Sequence, residues 1–472
     1  MPLTSISPIN GRYSKTTKPL AEFFSEQVFM KHRLIIEGEY LIALSDAKIT
    51  RKFSDKEKKL IRSLYNLKTS DAQIISDIET KGYKDIKATD HDVKAVEYYI
   101  KYQLAKTSLK NVLEWVHFGL TSEDTNNLSV ALMLRESLLN VILPKLEEIL
   151  KSLNQLIFKS SGLPMLARTH GQPASPTTFG KEFKIFTERL NRQLKILKSQ
   201  EILAKLNGAT GNYNAHLAAF PKVDWIKFSQ KFIAGLNNLV FERSQDTKLF
   251  STGSNNIVAS LYTTQIQPHD SYIEIFDSLR RINTILLDFN QDMWRYISDE
   301  WIVQKPVEGA VGSSTMPHKI NPIKFENSEG NLGLANALFE FFARKLPISR
   351  LQRDLSDSTV QRNFGSALAH SLIAYDYLLK GLSRITINEK KVKDDLNNHP
   401  EVLAEAIQTI LRREGASMPY EQLKELTRGK EVTLSDLHTF IDNLDIDNRV
   451  KKELKKLTPE NYIGLAYKLA KS

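Results

Sequence analysis

The sequence predicts an all-α protein of three domains with a central bundle of long helices. The first observation is periodicity. From Ile275 the apolar residues run Ile275, Leu279, Ile282, Leu286, Phe289, Met293 and Tyr296, in alternating steps of four and three. A 3.5-residue repeat marks one face of a long helix in a coiled coil or bundle. The second observation is that the stripe recurs. Phe179, Phe183, Phe186, Leu190, Leu194 and Leu197 form another, Leu146, Ile149, Leu153 and Leu156 a third, and Phe364, Leu368, Leu372, Tyr375 and Leu379 a fourth. Matching stripes bury one another, so they imply a bundle and a core rather than a cofactor box. The third is that no alternating strand pattern stands out in the middle of the chain.

Taken in order, residues 1–111 hold shorter helical segments and a polar stretch around Lys81 to Asp92, and read as an N-terminal helical domain. Residues 112–388 read as the bundle domain, carrying a loop at 309–322. Within it, Thr121-Ser122-Glu123-Asp124 suits an N-cap with acids in the first turn. Its hydroxyls could equally donate to a carboxylate. A helix is predicted after Pro144, and another with Ser175 as N-cap and Pro176 at its first position. Asn237 to Ser260, with Ser-Thr-Gly-Ser-Asn-Asn at 251–256, reads as an irregular surface insertion. Residues 389–472 are rich in Lys, Glu and Asp with short apolar clusters and a turn at Asn397-Asn398-His399-Pro400, and read as a C-terminal helical domain.

Composition narrows the function. At 472 residues, 41% hydrophobic and 25% charged, the chain is an ordinary globular protein able to bury several cores. It has no cysteine, which excludes disulfides and thiol chemistry and fits a reducing compartment; a cytoplasmic location is expected. Met1 to Lys18 has no continuous apolar stretch, so no secretory signal is expected. Even Leu34 to Leu44 is broken by Glu37 and Glu39, so no membrane span is expected. The formal net charge of +10 allows nucleic-acid binding, attraction of a small polyanion, or a merely solvated basic surface. Lysines interleaved with acids, as in Lys145-Leu146-Glu147-Glu148, and the lack of a nucleic-acid motif argue against the first. No Gly-rich phosphate loop, His-Glu-x-x-His or Gly-x-Ser-x-Gly occurs, and no cofactor or metal is expected.

The most informative segment is 312–322, Gly-Ser-Ser-Thr-Met-Pro-His-Lys-Ile-Asn-Pro. Gly309, Gly312, Pro317 and Pro322 punctuate it, so it reads as a mobile loop. It carries a possible nucleophile or base (Ser313, Ser314), a cation (Lys319) and a carboxamide (Asn321). Cation and amide together suit a carboxylate ligand, and a mobile loop suits a lid. Elsewhere, His170 in Arg168-Thr169-His170-Gly171-Gln172-Pro173 is either a general acid or base or a structural histidine. Thr89-Asp90-His91-Asp92 is a poor transition-metal set and otherwise an exposed turn. Arg353 and Arg362 can grip phosphate or carboxylate oxygens, or form surface ion pairs.

The loop matches Gly-Ser-Ser, one residue, Met, two residues, Lys, one residue, Asn, and so resembles the signature of the fumarase/aspartase superfamily. His91-Asp92-Val93-Lys94-Ala95-Val96-Glu97, Arg168 to Pro173, Tyr262-Thr263-Thr264-Gln265-Ile266 and Ser349-Arg350-Leu351-Gln352-Arg353-Asp354-Leu355 narrow the resemblance to the bacterial-type branch of the adenylosuccinate lyase family. The likeness runs from Ser7-Pro8-Ile9-Asn10-Gly11-Arg12-Tyr13 to Tyr462-Ile463-Gly464. It implies elimination of fumarate from adenylosuccinate, giving AMP, and from the succinyl-carboxamide ribotide of purine synthesis. It assigns the base to Ser313 and the acid to His170. Lys319 and Asn321 would hold the succinyl carboxylate, and Thr121 and Ser122 contact the succinyl part. Arg12, Tyr13, Arg353, Ser358 and Arg362 would contact the nucleotide, chiefly its phosphate. His91, Asp92, Gln265, Ser314 and Asn327 complete the site, and Asp90 and Thr169 are taken with them as substrate-binding residues. The resemblance also implies a homotetramer with each site built from three subunits.

Two departures stand out. Asp90 replaces the usual Asn, placing an acid near an anionic substrate. The segment before Tyr262 is longer than usual. The alternatives are another superfamily lyase, acting on argininosuccinate or aspartate, and a non-catalytic helical scaffold or nucleic-acid-binding protein. The phosphate-directed set argues against the former, and Ser313, His170 and Lys319 together against the latter.

Overall fold

The stripe from Ile275 to Tyr296 lies on a single helix, Asp270–Ser298, in the computed structural model. The other stripes lie on Phe179–Ser199, Leu143–Ser160 and Phe364–Leu382, and another long helix runs Ile323–Lys345. The structure describes residues 3–239, 255–306, 316, 318–429 and 431–472. The chain divides into two compact units, one of Met1–Leu146, Gln193–Thr284 and Gly330–Asp376, the other of Glu147–Arg192, Ile285–Glu329 and Tyr377–Ser472.

In the first unit, aromatic side chains lock three helices together. Phe276 stacks on Phe339 with ring centroids 5.3 Å apart and meets Phe364 edge-on at 4.7 Å. A polar rung crosses this core: Tyr375 donates its hydroxyl to Asn283 Oδ1 at 2.5 Å, and Asn283 Nδ2 donates to Ser371 Oγ at 3.0 Å. A separate apolar cluster within residues 30–116 is built on the helices Glu26–Asp46 and Asp92–Leu104. The strands Ile202–Ala204 and Ile257–Ala259 pair in parallel.

In the second unit, Phe183 and Phe186 pack on Phe289 with centroids 6.1 and 5.2 Å apart. Asn290 Nδ2 donates to Ser328 Oγ at 2.9 Å in the same core. Pro164–Thr169 and Gln172–Thr178 form an antiparallel hairpin, and Ile302–Gln304 pairs antiparallel with Ile385–Ile387. Short C-terminal helices close over Leu403, Ile407, Leu411, Leu437, Ile441 and Leu454.

Some local expectations change. Pro176 does not open a helix: it lies in the strand Gln172–Thr178, and the helix starts at Phe179. A two-stranded pair has a free side on each strand, where a proline's missing N–H costs nothing. Ser175, expected as the N-cap, donates its hydroxyl to Glu405 instead. The face expected after Pro144 does lie on a helix, Leu143–Ser160, with Pro144 in its first turn, but this helix does not start afresh there. The chain is helical from Ser122–Ser137 through a wide π turn, Leu138–Ile142, into Leu143–Ser160. Proline clashes with the preceding helical turn, and the π turn just before it relaxes the ladder there. The middle of the chain does contain strands, but Ile202–Ala204 and Ile257–Ala259 are too short to alternate visibly. The latter also shows that 257–259 is regular; residues 240–254 of the expected insertion lie outside the described residues.

Candidate active site

In the first unit, polar side chains converge at helix starts. His91 caps the helix Asp92–Leu104: its Nδ1 accepts the Lys94 N–H at 3.3 Å. A ring nitrogen that accepts carries no proton, so the neutral ring holds its proton on Nε2. That nitrogen faces Ser122 Oγ at 3.2 Å. Ser122 opens the helix Ser122–Ser137 behind Thr121, whose N–H donates to Asp124 Oδ2 at 2.9 Å. His91 and Ser122, expected in one site, therefore meet.

Asp92 faces two arginines. Its Oδ2 lies 2.5 Å from Arg33 Nη2 and 3.0 Å from Arg362 Nη2. Burial favours the neutral carboxyl, but the two cations and the Val93 N–H outweigh it and hold Asp92 below its ordinary range. Arg362 Nη1 also donates to Glu26 at 3.0 Å. Arg353 Nη2 lies 3.0 Å from Glu123 Oε2 and 3.8 Å from Asp357 Oδ1. Asp357 accepts the Ser358 N–H at 2.7 Å and sits 3.4 Å from His269 Nε2. The short helix Ser356–Gln361 thus carries Ser358 and delivers Arg362 at its end. Ser358 and Arg362 line a cavity of about 50 Å3 with Glu26, Phe29, Glu123 and Gln361.

Other expected residues of this unit are held by local structure. Thr264 Oγ1 donates to Gln352 O at 2.8 Å, which ties the turn holding Gln265 to the segment of Arg353. Tyr13 precedes the helix Ser14–Phe24 and donates its N–H to Pro8 O at 2.8 Å; Arg12 is exposed. Asp90 is exposed with φ +48, and its N–H donates to Glu79 O at 2.9 Å. Asn and Asp are the side chains best tolerated in that left-handed conformation, so the backbone accepts either.

In the second unit, His170 and Gly171 form the hairpin tip, with φ +53 and +75. Two consecutive left-handed residues make the tight turn that matches strand twist. Thr169 pairs with Gln172 across it, and Thr169 and His170 are both exposed. Arg168 Nη2 holds the base of the turn to Asp395 at 3.3 Å. Lys319 is exposed, and its N–H donates to Met316 O at 3.1 Å. Gln304 Nε2 donates to Ile320 O at 3.0 Å, pinning the chain between Lys319 and Asn321. Asn327 lies, half-buried, near the start of the helix Ile323–Lys345. Ser313 and Ser314 lie outside the described residues.

Sequence reasoning passed over Arg33, Glu26 and the ion pair of Lys205 with Asp124. Lys205 Nζ lies 2.7 Å from Asp124 Oδ1, and both side chains are fully buried. Asp124 also accepts the N–H groups of Asn207 and Gly208, at 3.0 and 3.1 Å. The available signal was charge where none is affordable: Arg33 directly precedes the apolar Leu34-Ile35-Ile36 on a helix buried nearly all round. Among the described residues, no group of three or more His, Asp or Glu is placed to hold a metal ion, and no helix is long and apolar enough to cross a membrane.

Comparison with known proteins fixes the class first. A family model described as Lyase matches residues 11–336. Two solved structures share the fold: a fumarate lyase from Mesorhizobium sp. BNC1 (TM-score 0.72, 15% identity, 96% of each chain) and a 3-carboxy-cis,cis-muconate lactonizing enzyme from Pseudomonas putida (TM-score 0.71, 18% identity, 96% of this chain and 95% of that one). A second model, adenylosuccinate lyase C-terminal, matches residues 349–463. The adenylosuccinate lyase of Haemophilus influenzae is 47% identical over 99% of this chain and 98% of its own. Those of Dictyostelium discoideum and Escherichia coli K12 are 47% and 45% identical, each over 98% of this chain and 97% of their own. The chain belongs to the adenylosuccinate lyase family.

Proposed function

We propose that this lyase eliminates fumarate from adenylosuccinate to give AMP, and likewise from succinyl-aminoimidazole-carboxamide ribotide, in purine nucleotide synthesis. The observation that carries the reading is a small cavity lined by Ser358 and Arg362 together with Glu123, the carboxylate that Arg353 pairs with, so two arginines serve one site in an arrangement suited to phosphate. Argininosuccinate and aspartate have no phosphate to occupy it.

In this reading Ser313 takes the carbon-bound proton of the succinyl group. Negative charge then spreads into the adjacent carboxylate, where Lys319 and Asn321 stabilise it. The C–N bond breaks, and the departing nitrogen takes a proton from His170. Thr121 and Ser122 position the succinyl part at a helix start, where backbone N–H groups favour an anion. Arg12, Tyr13, Arg353, Ser358 and Arg362 bind the nucleotide, while Thr169, Asp90, His91, Asp92, Gln265, Ser314 and Asn327 line the rest of the site. No cofactor takes part.

The same proposal covers assembly and location: a cytoplasmic homotetramer with shared sites, each chain divided into domains at 1–111, 112–388 and 389–472. The separate apolar clusters within residues 30–116 and 403–454 support that division. Exposure of His170, Lys319 and the apolar Trp294, Leu334 and Phe341 supports packing against further copies. The test is fumarate release by purified protein from adenylosuccinate, with argininosuccinate and aspartate as controls. Release from adenylosuccinate alone is expected; release from a control substrate instead would overturn the assignment.

A further inference from the structure

We propose that Glu123 makes nucleotide binding proton-linked: it pairs with Arg353, and takes up a proton when a phosphate monoester displaces it from that arginine. The inference rests on the proposed phosphate role of Arg353 and Arg362.

The carboxylates differ in what each keeps after a phosphate arrives. Asp92 keeps Arg33, 2.5 Å away. Asp357 keeps the Ser358 N–H at 2.7 Å and His269 at 3.4 Å. Glu26 is exposed to water. Glu123 has no such reserve. It is 2% exposed, its Oε2 faces Arg353 Nη2 at 3.0 Å, and its Oε1 is buried with no hydrogen-bond partner. Arg353 in turn has a buried Nε without a partner, so its fork is incompletely satisfied.

The other charged and titratable groups facing Glu123 do not replace Arg353. Asp124 and Asp357 are like charges that disfavour its ionised form. Lys205 is engaged by Asp124 at 2.7 Å. Tyr272, on the helix Asp270–Ser298, is itself neutral, its hydroxyl pushed far up by burial and by Glu123. Burial, the largest effect, raises Glu123 to about 7 even with Arg353 pulling the other way. Once a dianionic phosphate neutralises Arg353, a buried carboxylate without a counter-ion picks up a proton rather than stay charged. The balance is simple: one proton from solvent joins a Glu123 oxygen, and the phosphate takes over the arginine.

The test is calorimetric titration of the full chain with AMP, in two buffers of different ionisation enthalpy, at pH 6 and pH 8. At pH 8 the expected uptake approaches one proton per site. At pH 6 it falls, because Glu123 is already largely protonated and the phosphate's own second ionisation, near pH 6, releases protons. Affinity therefore weakens with rising pH, toward about tenfold per unit above pH 7. Glu123→Gln, isosteric and neutral, abolishes the pH 8 uptake and flattens that slope. Adenosine, lacking the phosphate, gives no uptake. Wild-type protein that binds AMP at pH 8 without uptake would overturn the proposal, and this needs no variant. So would Glu123→Gln that retains the uptake, or adenosine that causes it. AMP binding indifferent to Arg353→Met would overturn the phosphate assignment itself, and the inference with it.

Discussion

Ser313 and His170 divide the proposed proton transfers between them, so their variants separate chemistry from binding. Ser313→Ala should lower kcat by roughly 10²–10⁴-fold while substrate affinity is largely kept, as for a group that acts mainly in the transition state. Steady-state kinetics with calorimetric binding would read both; normal turnover would rule out Ser313 as the base. Two buried charges make predictions about stability instead. Lys205→Met strips Asp124 of its cation in a fully buried setting, and should cost about 3–5 kcal/mol, because the remaining charge is left uncompensated. Denaturant unfolding would measure it, and a loss below a few tenths would mean that the Asn207 and Gly208 N–H groups suffice. His117 Nδ1 lies 2.6 Å from Glu37 Oε1, which also accepts from Thr125 Oγ1 at 2.7 Å. Burial alone would lower the His117 pKa, but Glu37 outweighs it and the net shift is upward. A raised folded pKa means that the pair's stabilisation is fully present below the unfolded value near 6.5 and lost as pH rises through the folded one. His117→Asn, which suits the left-handed φ of +62, should therefore lose most melting temperature at pH 5.5 and least at pH 8.5. A gap independent of pH would show that His117 contributes by packing, not charge.

At the scale of elements, what was legible depended on how far the deciding partner lay along the chain. The 3.5-residue stripe from Ile275 to Tyr296 repeats its signal over six steps, and a helix needs nothing else to be read. Ser175-Pro176, by contrast, mimics a helix start, and only pairing with Pro164–Thr169 makes it a strand. His170 was legible as a candidate acid from its motif, whereas its hairpin tip depends on φ values that sequence does not print. The arginines were legible too, but Glu26, Arg33, Asp92 and Glu123 arrive from three different helices, so no local spacing links them. Element packing also makes a sharp prediction. A Cβ on Gly180 would sit 2.5 Å from Ser161 Cα and 3.0 Å from Ile157 O, both backbone atoms of the preceding segment. Gly180→Ala should lower stability by about 1–3 kcal/mol, since backbone gives way poorly to overpacking. A melting temperature equal to wild type would show that the two segments separate at little cost.

The whole molecule raises the question of how many copies make one site. Trp294, Leu334 and Phe341 are each about half exposed on long helices, apolar surface available to a partner copy. In a closed, symmetric oligomer a shared site takes each residue from a fixed neighbour, and that geometry can be read by mixing defects. Let one variant carry His170→Asn and another Arg353→Leu, each inactive alone. If both residues of a site come from the same copy, no mixed assembly contains an intact site. If they come from different copies, random co-assembly of equal amounts restores both in about a quarter of the sites, because each must fall independently on an undamaged donor. Recovery near a quarter of wild-type turnover is therefore expected. Native mass spectrometry of the same sample must show assemblies containing both variants; mixed assemblies without activity would exclude a site that draws His170 and Arg353 from separate copies.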